Sequence, residues 1–397
     1  MLETLQLLPD DPILGLAAQA RADDNPNKVD LSIGIYQDED GVCPVFNAVQ
    51  LAQQELTASE TTKAYIPAIG DTAFIENMPK LVLGENSSAI ADNRVSAIQT
   101  PGGCGALRIG AQIIGAATPG ARTLVSDPTW PVHIPLLGSV GLNLETYRYY
   151  EPATHGVNFD ALVEDIATAG ADDVLLLHGC CHNPCGADLT LEQWGVIADM
   201  AERQGFLPFI DIAYQGMGDG LEQDAAGLRL LAERLPEMII AASCSKNMGL
   251  YRERIGATIF VCKNSESAAA LASQAKVAAR SIYSMPPAHG GILAGMVLSS
   301  DHLNSMWREE LSGVCQRVNQ VRGQLVDQLN AATDIDFGFI AREKGMFSFL
   351  GLSKEQAIQL REQHSVYMTD SSRINVAGVN RHNIDYLVAA VAKVLAG

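Results

Sequence analysis

Seven apolar runs punctuate the middle of the chain, at Val95 to Gln99, Thr123 to Ser126, Leu142 to Tyr147, Val174 to Leu177, Leu207 to Ile212, Met238 to Ala242 and Ala257 to Val261. All seven are strand candidates, and the sixth and seventh have the length and β-branched content of buried strands. Helical spacing fills intervals between them, at Ala106 to Ala116 and at Leu191 to Gln204. In the second of these, Thr190 and Gln193 form a capping box ahead of Trp194, Ile197, Ala198 and Ala201 on one face. Repeated strand, loop and helix predict an α/β fold: a mostly parallel seven-stranded sheet flanked by helices.

Upstream, residues 1 to about 30 read as a polar arm around an apolar knot, Pro9-Asp10-Asp11-Pro12-Ile13-Leu14-Gly15-Leu16, which must dock on something. Val29 to Ile35 reads as a short strand ending in Gly34, Asp38 to Gly41 as a turn, Asn47 to about Ala58 as a helix, and Ala64 to Asp71 as a loop. Downstream, a long helix from about Ser305 to Ala331 carries the stripe Trp307, Leu311, Val314, Val318, Val321, Leu325 and Leu329 and leads into a smaller α/β domain. That domain alternates short strands (Met346 to Leu350, Val366 to Met368, Ile374 to Ala377) with helices, the last from Asn383 to Leu395. The expected division is an arm with part of the small domain at 1–40, a large domain at 41–315 and the small domain at 316–397.

A chain of 397 residues, 47% hydrophobic and 18% charged, describes an ordered globule of more than one domain. Its formal charge of -19, without a basic patch, argues against nucleic acid and acidic membranes as partners and leaves small molecules as the expected ligands. Neither a signal-peptide pattern nor an apolar run long enough to span a bilayer is present, so a cytoplasmic protein is expected, its eight cysteines mostly free thiols.

Chemistry concentrates where strands end, which is where an open α/β sheet presents its ligand site. Lys246, in Ser243-Cys244-Ser245-Lys246, follows the sixth run. A lysine held in a partly dry site loses basicity and becomes a nucleophile toward carbonyls, a Schiff-base lysine. Thr100-Pro101-Gly102-Gly103-Cys104-Gly105 leads a strand through glycines into a helix, an arrangement that cradles phosphate but fits neither a GxGxxG fingerprint nor a Walker loop. Trp130, in Asp127-Pro128-Thr129-Trp130-Pro131-Val132-His133, offers a flat face for stacking. Cys180-Cys181-His182-Asn183-Pro184-Cys185-Gly186 invites a zinc reading, but it lacks a paired second C-x2-C half, and Asn-Pro-x-Gly is itself a turn signal. Asn183 is better suited to donate to a ligand oxygen, and no metal is expected. Asp211, inside an apolar strand and followed by Tyr214, needs a cationic partner. A ring with a basic nitrogen for Asp211, an oxygen for Asn183 and Tyr214, a phosphate for the glycine loop, Ser243 and Arg254, and an aldehyde for Lys246 is pyridoxal 5'-phosphate.

With those motifs in hand the sequence resembles the class I aminotransferases of pyridoxal-phosphate fold type I, in the aspartate and aromatic amino acid subgroup. The likeness runs from Asp11-Pro12-Ile13-Leu14-Gly15-Leu16 to Ser372-Arg373-Ile374-Asn375-Val376-Ala377-Gly378. It implies a two-domain homodimer with shared active sites. Lys246 would carry the cofactor and Asp211, backed by His133, would pair with its ring nitrogen. Asn183 and Tyr214 would bond the ring oxygen, and Trp130 would stack on the ring. Gly103, Cys104, Ser243, Ser245 and Arg254 would hold the phosphate, joined by Tyr65 of the other subunit. The substrate would meet Gly34, Trp130 and Asn183; Arg373 would clamp its α-carboxylate, and Arg280 of the neighbouring subunit would take a side-chain carboxylate.

Two departures matter. Cys104 stands where the family usually has a threonine or serine, a better donor. Ile35, Gln37, Cys43, Ala64 and Met285 stand where strict aspartate enzymes are more polar, which lowers the cost of taking in an aromatic side chain. The expected activity is therefore transfer of the amino group of aromatic amino acids, and of dicarboxylates such as aspartate, to 2-oxoglutarate in ping-pong order, with strict aspartate specificity as the alternative. Ile13, Leu14 and Leu16, with Ile33, are expected to form a lid. A decarboxylase or lyase would not need both arginines, and a ligand-sensing regulator would carry a basic DNA-binding module that this chain lacks.

Overall fold

Seven strands, β1 (Val95–Pro101), β2 (Arg122–Asp127), β3 (Asn143–Arg148), β4 (Val174–His178), β5 (Leu207–Ile212), β6 (Met238–Ser243) and β7 (Ile255–Val261), form one sheet in the order β1-β7-β6-β5-β4-β2-β3. All seven expected strands are present, and every residue of β6 and β7 is buried. Such continuous burial explains their uninterrupted apolar runs, since helices cover both faces of a parallel sheet. Only β7 runs against its neighbours, so the C-terminal ends of β1, β2, β4, β5 and β6 share one edge of the sheet.

The computed structural model describes residues 2–7 and 12–397, of Pro12 the backbone only. The chain divides into two compact units, Pro44–Arg317 with the sheet, and Met1–Cys43 with Val318–Gly397. In the first, Ile98, Leu107, Ile109, Val125, Leu176, Phe209, Ile239 and Phe260 form the core between sheet and helices. The capping box of Thr190 and Gln193 is formed as expected ahead of Leu191–Gln204. The long helix runs over Asp301–Ala332, and all seven residues of its stripe are buried. Its Trp307 donates Nε1–H to the carbonyl of Asn247, the residue next to Lys246 in the same turn, at 2.7 Å.

The second unit packs Leu31, Leu325, Leu329, Phe337, Ile340, Leu360, Ile374, Leu387 and Val391 into its own core. It holds two small sheets, Val29–Asp30 with Val366–Tyr367 and Phe347–Phe349 with Arg373–Asn375. The strand expected over Val29 to Ile35 stops at Asp30. The Asp30 carboxylate accepts both the N–H and the hydroxyl of Ser32, and the Asn375 amide donates to the carbonyls of Ile33 and Ile35 at 2.8 and 2.7 Å, so side chains replace the ladder. Likewise the strand expected at Ile374 to Ala377 ends at Asn375, whose side chain caps a 3-10 turn over Val376–Gly378.

The arm contains a helix, Pro12–Ala22, that the polar reading did not foresee; proline suits its first position. Pro9, Asp10 and Asp11 of the apolar knot lie outside the described residues. Leu16 is buried, whereas Leu14 is exposed. Among the described residues no helix is long and apolar enough to cross a membrane.

Candidate active site

Five strand ends deliver their polar residues to one edge. At the end of β1 the helix Gly102–Ala117 starts at once, and Pro101 gives its first turn no side-chain cap, so backbone N–H donors there stay open to a ligand. Gly102 has φ +70°, and a Cβ on it would stand 2.5 Å from Arg254 Nη2; only glycine lets the guanidinium approach the helix start. Arg254 Nη1 donates to Ser245 Oγ at 3.2 Å and to the Tyr251 carbonyl at 2.9 Å, while Ser243 Oγ accepts from the Ser245 N–H at 3.2 Å. Gly103 abuts Ser243. Cationic guanidinium, hydroxyls and free N–H groups make an anion cradle of phosphate chemistry. Cys104 lies partly exposed in the helix's first turn, its thiol pushed above the usual range by burial.

Lys246 lies in the turn after β6, its Nζ 4.7 Å above the centre of the Tyr214 ring. Loss of hydration lowers its basicity, opposed by the charges of Asp211 and Cys104 and assisted by Arg254. Asp211 is buried on β5; burial alone would raise it, but the hydrogen bond and charge of His133, with His178 and Lys246, hold it below the usual carboxylate range. Its Oδ2 accepts from His133 Nε2 at 3.0 Å, and Trp130 meets the His133 ring edge-on at 5.4 Å.

Behind this pair lies a network that the sequence reading missed. His133 Nδ1 meets Thr129 Oγ1 at 2.8 Å, and the same oxygen meets His178 Nε2 at 3.1 Å. His178 is opposite Asp211 in the β4–β5 register, and its ring centre is 3.9 Å from that of His182. His182 in turn lies against Tyr149, with Ser126 and Cys185 at its two nitrogens. Burial keeps His178 at about 3 and His182 well below the usual histidine range, so both are neutral. The available signal was the polar residue closing the apolar run of β4, and the i, i+4 pair Thr129 and His133.

Asn183 is buried, and its Oδ1 has no hydrogen-bond partner among the described residues. The Oδ1 is an acceptor that a ligand donor or an ordered water can meet, and the Nδ2 of the same amide is the group that can donate to a ligand oxygen. The segment before it is pinned by Asp188, which accepts from the N–H groups of Cys181 and His182 at 2.6 and 2.8 Å. The cysteines and histidine weighed for zinc part company: Cys185 pairs with His182, whereas Cys180 and Cys181 lie with Asp224, whose oxygens already accept three backbone N–H groups.

The structure thus gathers Gly103, Cys104, Trp130, His133, Asn183, Asp211, Tyr214, Ser243, Ser245, Lys246 and Arg254 within the sheet unit, at the ends of its strands. Tyr65 is 92% exposed on its loop, and Arg280 is exposed in the last turn of the helix Ser265–Ile282. Gly34 and Arg373 belong to the other unit. There Arg373 is buried, donating to the Ser32 carbonyl at 2.6 Å and lying 4.5 Å over the Phe347 ring, which also fills the space beside Gly34.

A sequence model of the family described as aminotransferase class I and II matches residues 26–391. The chain is 45% identical over 396 residues to the aspartate aminotransferase of Salmonella typhi, covering 100% of both chains. It is 42% identical over 395 residues to the aromatic-amino-acid aminotransferase of Paracoccus denitrificans, covering 99% of this chain and 100% of that one. Among solved structures it is similar to the aromatic-amino-acid aminotransferase of Burkholderia pseudomallei covalently bound to pyridoxal phosphate, with a TM-score of 0.97, 39% identity and coverage of 100% and 99%.

Proposed function

The chain belongs to the aminotransferase class I and II family and is a pyridoxal-phosphate-dependent transaminase, and from that premise we propose that it transfers the amino group of aromatic amino acids, and of dicarboxylates such as aspartate, to 2-oxoglutarate. We read it as a cytoplasmic homodimer with shared active sites, Pro44–Arg317 serving as the cofactor domain and the other unit as the small domain. The observation that carries the reading is Lys246: an amine of lowered basicity above Tyr214, within the field of the Asp211–His133 pair and beside an anion cradle.

The residues present fit the cofactor. Gly103, Cys104, Ser243, Ser245 and Arg254, with Tyr65 from the other subunit, would hold its phosphate; Asn183 and Tyr214 its ring oxygen; Trp130 its face; Asp211 its ring nitrogen; and Lys246 its aldehyde. Bound there, the ring supplies the electron sink that makes the substrate's Cα–H acidic. The ionised Asp211, steadied by His133, would hold a proton on the ring nitrogen when the cofactor is bound. Lys246 would act as the base that takes the proton from the substrate Cα, a role that needs an amine uncharged near neutral pH. Arg373 would grip the α-carboxylate through a two-point fork, and Gly34 would bring backbone to the substrate. Arg280 of the other subunit would take the distal carboxylate of aspartate or 2-oxoglutarate.

Steady-state turnover with 2-oxoglutarate and, separately, phenylalanine, tyrosine and aspartate tests the reading. All three should act as donors, and Lys246→Ala should lower kcat by at least about 10^3-fold. Turnover with aspartate alone would identify a strict aspartate enzyme. A Lys246→Ala protein that retains activity would remove that lysine from the chemistry.

A further inference from the structure

We infer that Gln99 is a positioning residue that holds in one register the two segments carrying Tyr65 and Arg280; the inference rests on the roles given above to those side chains. β1 is an edge strand, paired with β7 on one side only. Gln99 lies on that strand and is fully buried. All four of its polar groups are engaged, two with each segment. Its N–H donates to the Ile69 carbonyl at 2.9 Å and its Oε1 accepts from the Asp71 N–H at 2.8 Å, which anchors the end of the loop bearing Tyr65. Its carbonyl accepts from the Tyr283 hydroxyl at 3.4 Å and its Nε2 donates to the Pro287 carbonyl at 2.7 Å, which anchors the chain just past Ile282, where the helix bearing Arg280 ends.

The two sides demand opposite chemistry from one side chain, an acceptor for Asp71 and a donor for Pro287. A neutral amide supplies both. The space around it is closed as well: a Cβ at Gly70 would stand 2.2 Å from Gln99 Cβ, and one at Gly291 would stand 2.4 Å from Gln99 Nε2. Tyr65 and Arg280 are exposed on their own chain, so their placement depends on where their segments are rooted. Both roots meet at this residue. Gln99 thereby sets the cofactor-phosphate contact and the dicarboxylate contact that one subunit lends to the other.

The test compares the holoenzyme with Gln99→Met, which keeps the length and removes both hydrogen bonds of the side-chain amide, and with Tyr283→Phe, which removes one of the two links to the Arg280 segment and neither link to the Tyr65 segment. Gln99→Met should speed hydrogen exchange in residues 66–71 and 280–287. At saturating cofactor it should raise KM for aspartate about fivefold while kcat/KM for phenylalanine stays within about twofold, and it should weaken pyridoxal phosphate binding about threefold. Tyr283→Phe should shift aspartate in the same direction, by less, with cofactor binding unchanged. Unchanged exchange in both segments of a folded Gln99→Met protein would overturn the proposal. So would faster exchange without a change in aspartate KM, where Arg280→Ala raises that KM. If Arg280→Ala also leaves it unchanged, the reading of Arg280 fails, and the proposal falls with it for that reason.

Discussion

Asp211 shows how one residue can be affordable only in its setting. A carboxylate 7% exposed inside an apolar sheet is tolerated because His133 lies 3.0 Å away and Lys246 adds its field. It was legible in the sequence because a charge interrupting a buried strand has no neutral explanation. Lys246 was legible for a related reason, as a lysine between two buried runs. His178 and Gln99 were not, because their partners come from remote strands and loops that only the fold brings near, while Thr129 left only the local trace of its i, i+4 spacing to His133. Cys104 carries a prediction at this scale. Its thiol sits in the anion cradle as a poor donor, so Cys104→Ser should tighten pyridoxal phosphate binding, by about threefold to tenfold, measured by cofactor titration of the apoenzyme. Equal or weaker binding by the serine variant would show that Cys104 makes no donor contact.

Among the elements, strands were easier to read than helices. The central strands of the main sheet are buried on both sides, so burial writes itself into the sequence as unbroken apolar runs, whereas the edge strand Asn143–Arg148 is largely exposed. The helix Ala288–Ser299 is apolar on all sides and presents no stripe, Ser265–Ile282 buries only alanines, and Thr72–Leu83, although it buries Phe74, Met78, Leu81 and Val82 on one face, is interrupted by Pro79. Side-chain hydrogen bonds that cut strands short, as at Asp30 and Asn375, leave no periodic trace at all. The packing of β4 against β5 makes a prediction of its own. His178 in the folded protein lies at about 3, below its ordinary value of 6.5, so the unfolded chain takes up a proton that the folded chain refuses. That stability is complete above pH 6.5 and falls as pH drops toward 3, by about 1.4 kcal/mol per unit. We predict that His178→Gln flattens the loss of urea stability between pH 6.5 and 5.5 by about 1 kcal/mol, since the full slope is reached only below that window. An unchanged slope would mean that His178 is charged in the fold.

For the whole molecule, membership of the aminotransferase class I and II family makes the chain a transaminase, and its broad reach is what we propose from Ile35, Cys43, Ala64 and Met285 as substrate-side residues with Arg280 and Arg373 as carboxylate clamps. Relatives named for aspartate and for aromatic amino acids match the chain at 45% and 42% identity, so identity alone does not choose between them. The choice belongs to the site. The most direct measurement follows the cofactor absorbance of the purified holoenzyme as phenylalanine and aspartate are added to separate samples, with no 2-oxo acid present. Our account predicts that each amino acid converts the cofactor to its aminated form and releases its own 2-oxo acid. Conversion by aspartate alone, with phenylalanine inert at saturating concentration, would contradict it.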